Sequence, residues 1–99
     1  MYIIREVMRC KPGKVRDMVN KFKGLSGIMQ KMGLNGFRVL TDVSGEPFWT
    51  VIAEIEVDNL NDFVALEEKV MANDDARKLM GGYHELVDSG RREIFKAES

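Results

Sequence analysis

Phe48-Trp49-Thr50-Val51-Ile52-Ala53-Glu54-Ile55-Glu56-Val57 is the stretch on which the fold turns. Successive side chains of a strand point to opposite faces. Trp49, Val51, Ala53, Ile55 and Val57 therefore make one wholly apolar face, and Phe48, Thr50, Ile52, Glu54 and Glu56 a mixed one. The β-branched and aromatic content suits a pleated, half-buried surface. Ser44-Gly45-Glu46-Pro47 just upstream is a turn signal. Before it, Phe37 to Val43 sets Phe37, Val39, Thr41 and Val43 against Arg38, Leu40 and Asp42. The short connection predicts a hairpin of strands 37–43 and 48–57.

Toward the N-terminus, Tyr2 to Cys10 reads as another strand, with Tyr2, Ile4, Glu6, Met8 and Cys10 on one face and Ile3, Arg5, Val7 and Arg9 on the other. Lys11-Pro12-Gly13-Lys14 starts a helix, with Pro at the first helical position, where its missing N–H costs nothing. Val15, Met18, Val19, Phe22, Leu25, Met29 and Met32 recur at intervals of three and four, the stripe of an amphipathic helix. Gly24 and Gly27 each weaken that helix by roughly 1 kcal/mol relative to Ala, and so point to close packing. Gly33 is a C-terminal stop.

After the hairpin, Asp58 and Asn59 are candidate N-caps for a helix carrying Leu60, Phe63, Val64, Val70 and Met71. Asn73-Asp74 interrupts it and offers a second cap; Ala76, Leu79, Met80, Tyr83, Leu86 and Val87 continue the stripe. Gly81-Gly82 predicts an irregularity, Asp88-Ser89-Gly90 an end, and Arg91 to Ala97 a last strand with Ile94 and Phe95 on opposite faces. The order is β-α-β-β-α-β with a broken second helix. It predicts one α+β, ferredoxin-like domain over residues 1–99, a four-stranded antiparallel sheet with helices on one side.

Helices on one side cover one sheet face, so a monomer should keep the other polar. Here Ile3 and Val7 oppose Ile4 and Met8, Phe48 and Ile52 oppose Trp49 and Val51, and Leu40 opposes Val39. Each such side chain left in water forgoes roughly 1.5–3 kcal/mol of burial. Together they exceed the patch a monomer usually shows. A homodimer joined through its sheet faces hides them; strand ends and long loops covering them is the plainer alternative.

The composition is that of a folded globular chain, 44% hydrophobic and 31% charged. The net charge of −1 provides no electrostatic footprint for nucleic acid or an anionic membrane. No apolar run approaches the roughly 20 residues of a spanning helix, and the N-terminal residues do not read as a signal peptide. Cys10 is the sole cysteine, which fits a reducing compartment and leads to the cytoplasm as the expected location.

Chemistry-bearing residues are few. His84 is the only histidine, which excludes sites built on several imidazoles. It falls at the border of its helical stripe, and reads either as a base working near neutral pH or as a boundary residue with an ordinary hydrogen bond. Trp49 and Tyr83 can wall an aromatic pocket, though plain core packing suits Trp49 equally. Arg5, Arg38, Glu54 and Arg92 project from strands, either as Arg–Glu pairs across a dimer or, for the arginines, as a clamp for a substrate anion. Cys10 is a small buried residue rather than a nucleophile. No Cys/His spacing suits a metal. Lys11-Pro12-Gly13-Lys14 lacks the glycine spacing of a phosphate loop, and residues 48–55 lack the aromatic motif of an RNA-binding sheet.

With the first strand running into Lys11-Pro12-Gly13-Lys14, the long helix, the hairpin, the broken second helix and the closing Leu86-Val87-Asp88-Ser89-Gly90-Arg91-Arg92-Glu93-Ile94-Phe95, the chain resembles the dimeric α/β-barrel superfamily. It is most similar to the antibiotic-biosynthesis-monooxygenase-like and NIPSNAP-like branches. The resemblance implies a homodimer whose sheets meet face to face, with a pocket between sheet and helices in each protomer. It implies a small-molecule-binding protein, in the monooxygenase-like case a cofactor-independent oxidase of a phenol or quinol. His84 would be the catalytic base, Trp49 and Tyr83 would orient a small aromatic ligand, and Arg38 and Arg92 would bind its polar part. No cofactor is expected. The alternative is a non-enzymatic, NIPSNAP-like binding or interaction module. Haem-degrading members use an Asn on the first strand and a Trp and a His on the second helix. This chain has Glu6 and Val7 at the first place and no Trp near Leu66, so it departs from that branch.

Overall fold

The computed structural model describes residues 1–99. The elements are β1 (Tyr2–Cys10), α1 (Val15–Lys31), β2 (Arg38–Thr41), β3 (Thr50–Val57), α2 (Leu60–Met71), α3 (Asp74–Met80), a single 3₁₀ turn (Tyr83–Glu85) and β4 (Val87–Lys96). The four strands form one antiparallel sheet in the order β2-β3-β1-β4. This is the expected ferredoxin-like α+β arrangement, with β1 and β3 central because they alone are flanked on both sides.

Register sorts the side chains. Val39, Ala53, Glu6 and Arg92 stand in one row across the four strands, and Arg38, Glu54, Arg5 and Glu93 in the next. The first row lies on the helix side, with Ile4, Val51 and Ile55; the second lies on the open side, with Val7 and Ile52. On the helix side, Val51, Ala53 and Cys10 pack with Met18, Val19 and Phe22, while Ile4 and Ile55 pack with Met29 and Phe63. Gly24 lets α1 approach α3, since a Cβ there would lie 2.8 Å from Leu79 Cδ2.

Several boundaries differ from expectation. Pro12 lies in a turn closed by Lys14 N–H on Lys11 C=O at 3.0 Å, and α1 begins only at Val15. The hairpin strands are shorter than their alternation suggests, ending at Thr41 and starting at Thr50. Asp42 Oδ1 accepts the Thr50 N–H at 2.9 Å, and Thr50 Oγ1 donates to Pro47 C=O at 2.6 Å, so local polar bonds divert the chain from the ladder. Phe48 and Trp49 thereby leave the sheet, and Trp49 adopts a left-handed φ of 71°. Asp88-Ser89-Gly90 does not end a helix; it belongs to β4, which starts at Val87.

The open face is better covered by its own chain than expected. Val7 is 2% exposed, Ile3, Leu40 and Ile52 are half-buried, and Phe95 remains 47% exposed. Its charged row is paired within the chain. Glu54 accepts from Arg5 Nε at 2.9 Å and from Arg38, while Arg91 bridges Glu93 at 3.0 Å and reaches Glu46 of the β2–β3 loop at 3.2 Å. No helix is long and apolar enough to cross a membrane.

Candidate functional site

Between the helix side of the sheet and the helices lies a cavity of about 470 Å³. Ile4, Met8 and Ala53 form its floor, and Phe22, Met29 and Phe63 rise from α1 and α2. Fifteen of its 22 lining residues are hydrophobic. α2, α3 and the 3₁₀ turn all contribute to its lining. Asn59 caps α2 by accepting Asp62 N–H at 3.0 Å, and Asn73 restarts the chain as α3 by accepting Ala76 N–H at 2.9 Å. Lys21 Nζ donates to Leu79 C=O at 2.7 Å and Gly81 C=O at 3.1 Å, tying the end of α3 to α1. Gly82, at φ 80°, then turns the chain into the 3₁₀ turn, a conformation that favours glycine.

That turn delivers Tyr83 and His84 to the cavity wall, their rings 4.0 Å apart between centroids and inclined by 35°. Tyr83 is half-buried and His84 exposed. The principal polar feature of the wall is Arg92. Its Nε donates to Glu6 Oε1 at 2.5 Å, and its terminal nitrogens donate to Glu67 at 2.8 and 3.5 Å. Its guanidinium lies over the Phe63 ring, 4.9 Å from the centroid. Burial pulls the Arg92 pKa down, but its hydrogen bonds to Glu6 and Glu67 and their charges outweigh it, so the group sits above its ordinary value and stays charged.

The structure brings Tyr83, His84 and Arg92 to one cavity and leaves Trp49 and Arg38 outside it. Trp49 is 43% exposed in the loop before β3, with its carbonyl accepting Cys10 N–H at 2.8 Å. Arg38 sits on the open face against Glu54, whose hydrogen bond raises its pKa. Glu6 and Glu67 are cavity residues that sequence reasoning did not select. A signal for Glu6 existed, since it shares a strand face with Tyr2, Ile4 and Met8, and a carboxylate among apolar neighbours needs a partner. No cluster of His, Cys, Asp and Glu suited to a metal ion is present.

No sequence-family model matches the chain, and no curated protein matches it. Solved structures do. A NIPSNAP family protein with unknown function from Agrobacterium tumefaciens superposes with a TM-score of 0.81 at 16% identity, over 98% of this chain and 87% of that one. An uncharacterized NIPSNAP domain protein from Burkholderia xenovorans gives 0.80 at 16% identity, over 100% and 96%. A provisionally assigned antibiotic biosynthesis monooxygenase from Nitrosomonas europaea gives 0.74 at 12% identity, over 100% of both chains. The chain thus has the fold of the NIPSNAP and monooxygenase-like proteins, as the sequence resemblance implied. At these identities the likeness concerns the fold.

Proposed function

We propose that this protein binds a small, largely apolar, ring-bearing molecule in the cavity between its sheet and its helices. The cavity itself carries the reading: about 470 Å³, mostly hydrophobic, with a few polar groups placed together on its wall. That is the usual make-up of a small-molecule site. Where turnover follows binding, the chemistry is cofactor-independent oxidation of a phenol or quinol. His84 takes the phenolic proton, Tyr83 orients the ring, and molecular oxygen adds to a ring carbon of the phenolate as a hydroperoxide, whose O–O bond breaks with loss of water to leave a quinone. The monooxygenase-like neighbour of the same fold supports this chemistry.

Oxygen uptake across a panel of phenols and quinols, with wild-type protein and His84→Ala, tests it. Uptake that falls at least about tenfold in the variant supports the base. Undiminished turnover in the variant removes His84 from the role. A second reading, binding without turnover, is favoured by the exposure of His84 and by the NIPSNAP neighbours. Binding that persists while every substrate is silent selects it.

The half-buried Ile3, Leu40 and Ile52 and the exposed Phe95 also support a homodimer meeting through its open sheet faces. Analytical ultracentrifugation at micromolar concentration tests the assembly; an 11.3 kDa particle would rule it out.

A further inference from the structure

An arginine on the wall of an apolar cavity is ordinarily read as a clamp for a ligand carboxylate. Arg92 is differently placed. A guanidinium has five N–H donors. Here Nε is committed to Glu6, both terminal nitrogens each make a bond to Glu67, and the guanidinium lies over Phe63. The cluster holds two carboxylates against one guanidinium, a formal charge of −1. Arg77, the other guanidinium on the lining, is 62% exposed and already paired with Asp74. Three of the five Arg92 donors are thus taken, and an organic acid that reached the two left over would bring a third carboxylate to a cluster already carrying excess negative charge. Arg92 is 43% and Glu67 38% exposed, so water screens part of the repulsion, yet like charges are still brought together beside a mostly apolar lining. Glu6, in contrast, uses only Oε1 on Arg92; an ionised carboxylate accepts hydrogen bonds at both oxygens and donates none.

We propose that the Glu6–Arg92–Glu67 cluster makes this cavity selective for apolar molecules whose polar head donates hydrogen bonds, a hydroxyl or a protonated amine, and makes it reject organic acids. Arg92 holds the two carboxylates in place, and Glu6 receives the donor. The proposal rests on the cavity being a ligand site, and it specifies the class of ligand.

Titration calorimetry with one ring system and four heads tests it: naphthol, naphthylmethylamine, methoxynaphthalene and naphthoate. Wild-type protein is expected to bind naphthol and naphthylmethylamine at least about tenfold more tightly than naphthoate. Glu6→Gln leaves the cluster formally neutral; it should raise naphthoate affinity and lower that of naphthylmethylamine. Glu67→Gln, on a partly exposed helix position, should move both in the same direction and serves where Glu6→Gln does not fold by circular dichroism. Naphthoate binding as tightly as naphthol, or ratios unmoved in both variants, would overturn the selectivity. If methoxynaphthalene still binds in that case, the cavity remains a ligand site and only its proposed preference is lost. If none of the four binds, the cavity reading and the selectivity fall together.

Discussion

Glu54 and Arg5 face each other across the central strands, the Arg5 Nε donating to Glu54 Oε2 at 2.9 Å with Glu54 only 4% exposed. Arg38 completes the clamp from the neighbouring strand. Hydrogen bonding to Arg38 lowers the Glu54 pKa, burial opposes the shift, and Arg5 reinforces it, leaving the carboxyl below its ordinary 4.5. A depressed folded-state pKa contributes stability that is present above the unfolded value and is lost as pH falls through the folded one. Glu54→Gln should therefore cost about 1–3 kcal/mol at neutral pH. It should also flatten the loss of stability as pH falls below the ordinary carboxyl value of 4.5. Urea unfolding of both proteins above and below that value checks it; equal slopes against pH would refute the assignment.

Cys10 is 1% exposed, and burial followed by the nearby Asp88 charge raises its pKa. A protonated, buried thiol is a poor nucleophile. Native protein at neutral pH should resist an aromatic disulfide reagent, then react fully in denaturant. Rapid labelling of the folded chain would contradict the burial.

Lys21 ties the C-terminal end of α3 to α1 through two carbonyls. Lys21→Met should loosen the segment from Leu79 to Glu85 without unfolding the sheet. Amide hydrogen exchange is the measurement. Faster exchange confined to that segment is expected, because local openings are governed by the few bonds that close them.

Asn73 starts α3 with a side-chain bond to Ala76 N–H. Asn73→Ala should lower thermal stability by about 1 kcal/mol, and Asn73→Asp should retain most of it. An aspartate as damaging as the alanine would show that the cap is not the source of the effect.

The caps at Asn59 and Asn73 and the break at Gly81-Gly82 were legible because each is a local event whose residue types carry the information. The alternation of Tyr2–Cys10 likewise fixed two faces before any partner was known. Phe48 and Trp49 misled because strand-favouring side chains were overruled by the Asp42 and Pro47 acceptors on Thr50, a competition invisible to periodicity. Arg38, Glu54 and Arg92 were recognised as charges needing partners, but register decides which partner. Glu6 meets Arg92 86 positions away, and Arg5 finds Glu54 within the same chain. Of the proposed ligand-facing side chains, Tyr83, His84 and Arg92 meet in one cavity, whereas Trp49 was placed by an alternation its backbone does not follow.

The departure of Trp49 from the sheet has an optical consequence. The chain's one indole sits in the β2–β3 loop rather than on the cavity wall, and that loop is joined through Glu46 to Arg91. Intrinsic emission excited at the indole band therefore arises outside the lining that Tyr83, His84 and Arg92 share. It should instead register whatever disturbs the loop, so one fluorophore separates association at that side of the molecule from occupancy of its interior.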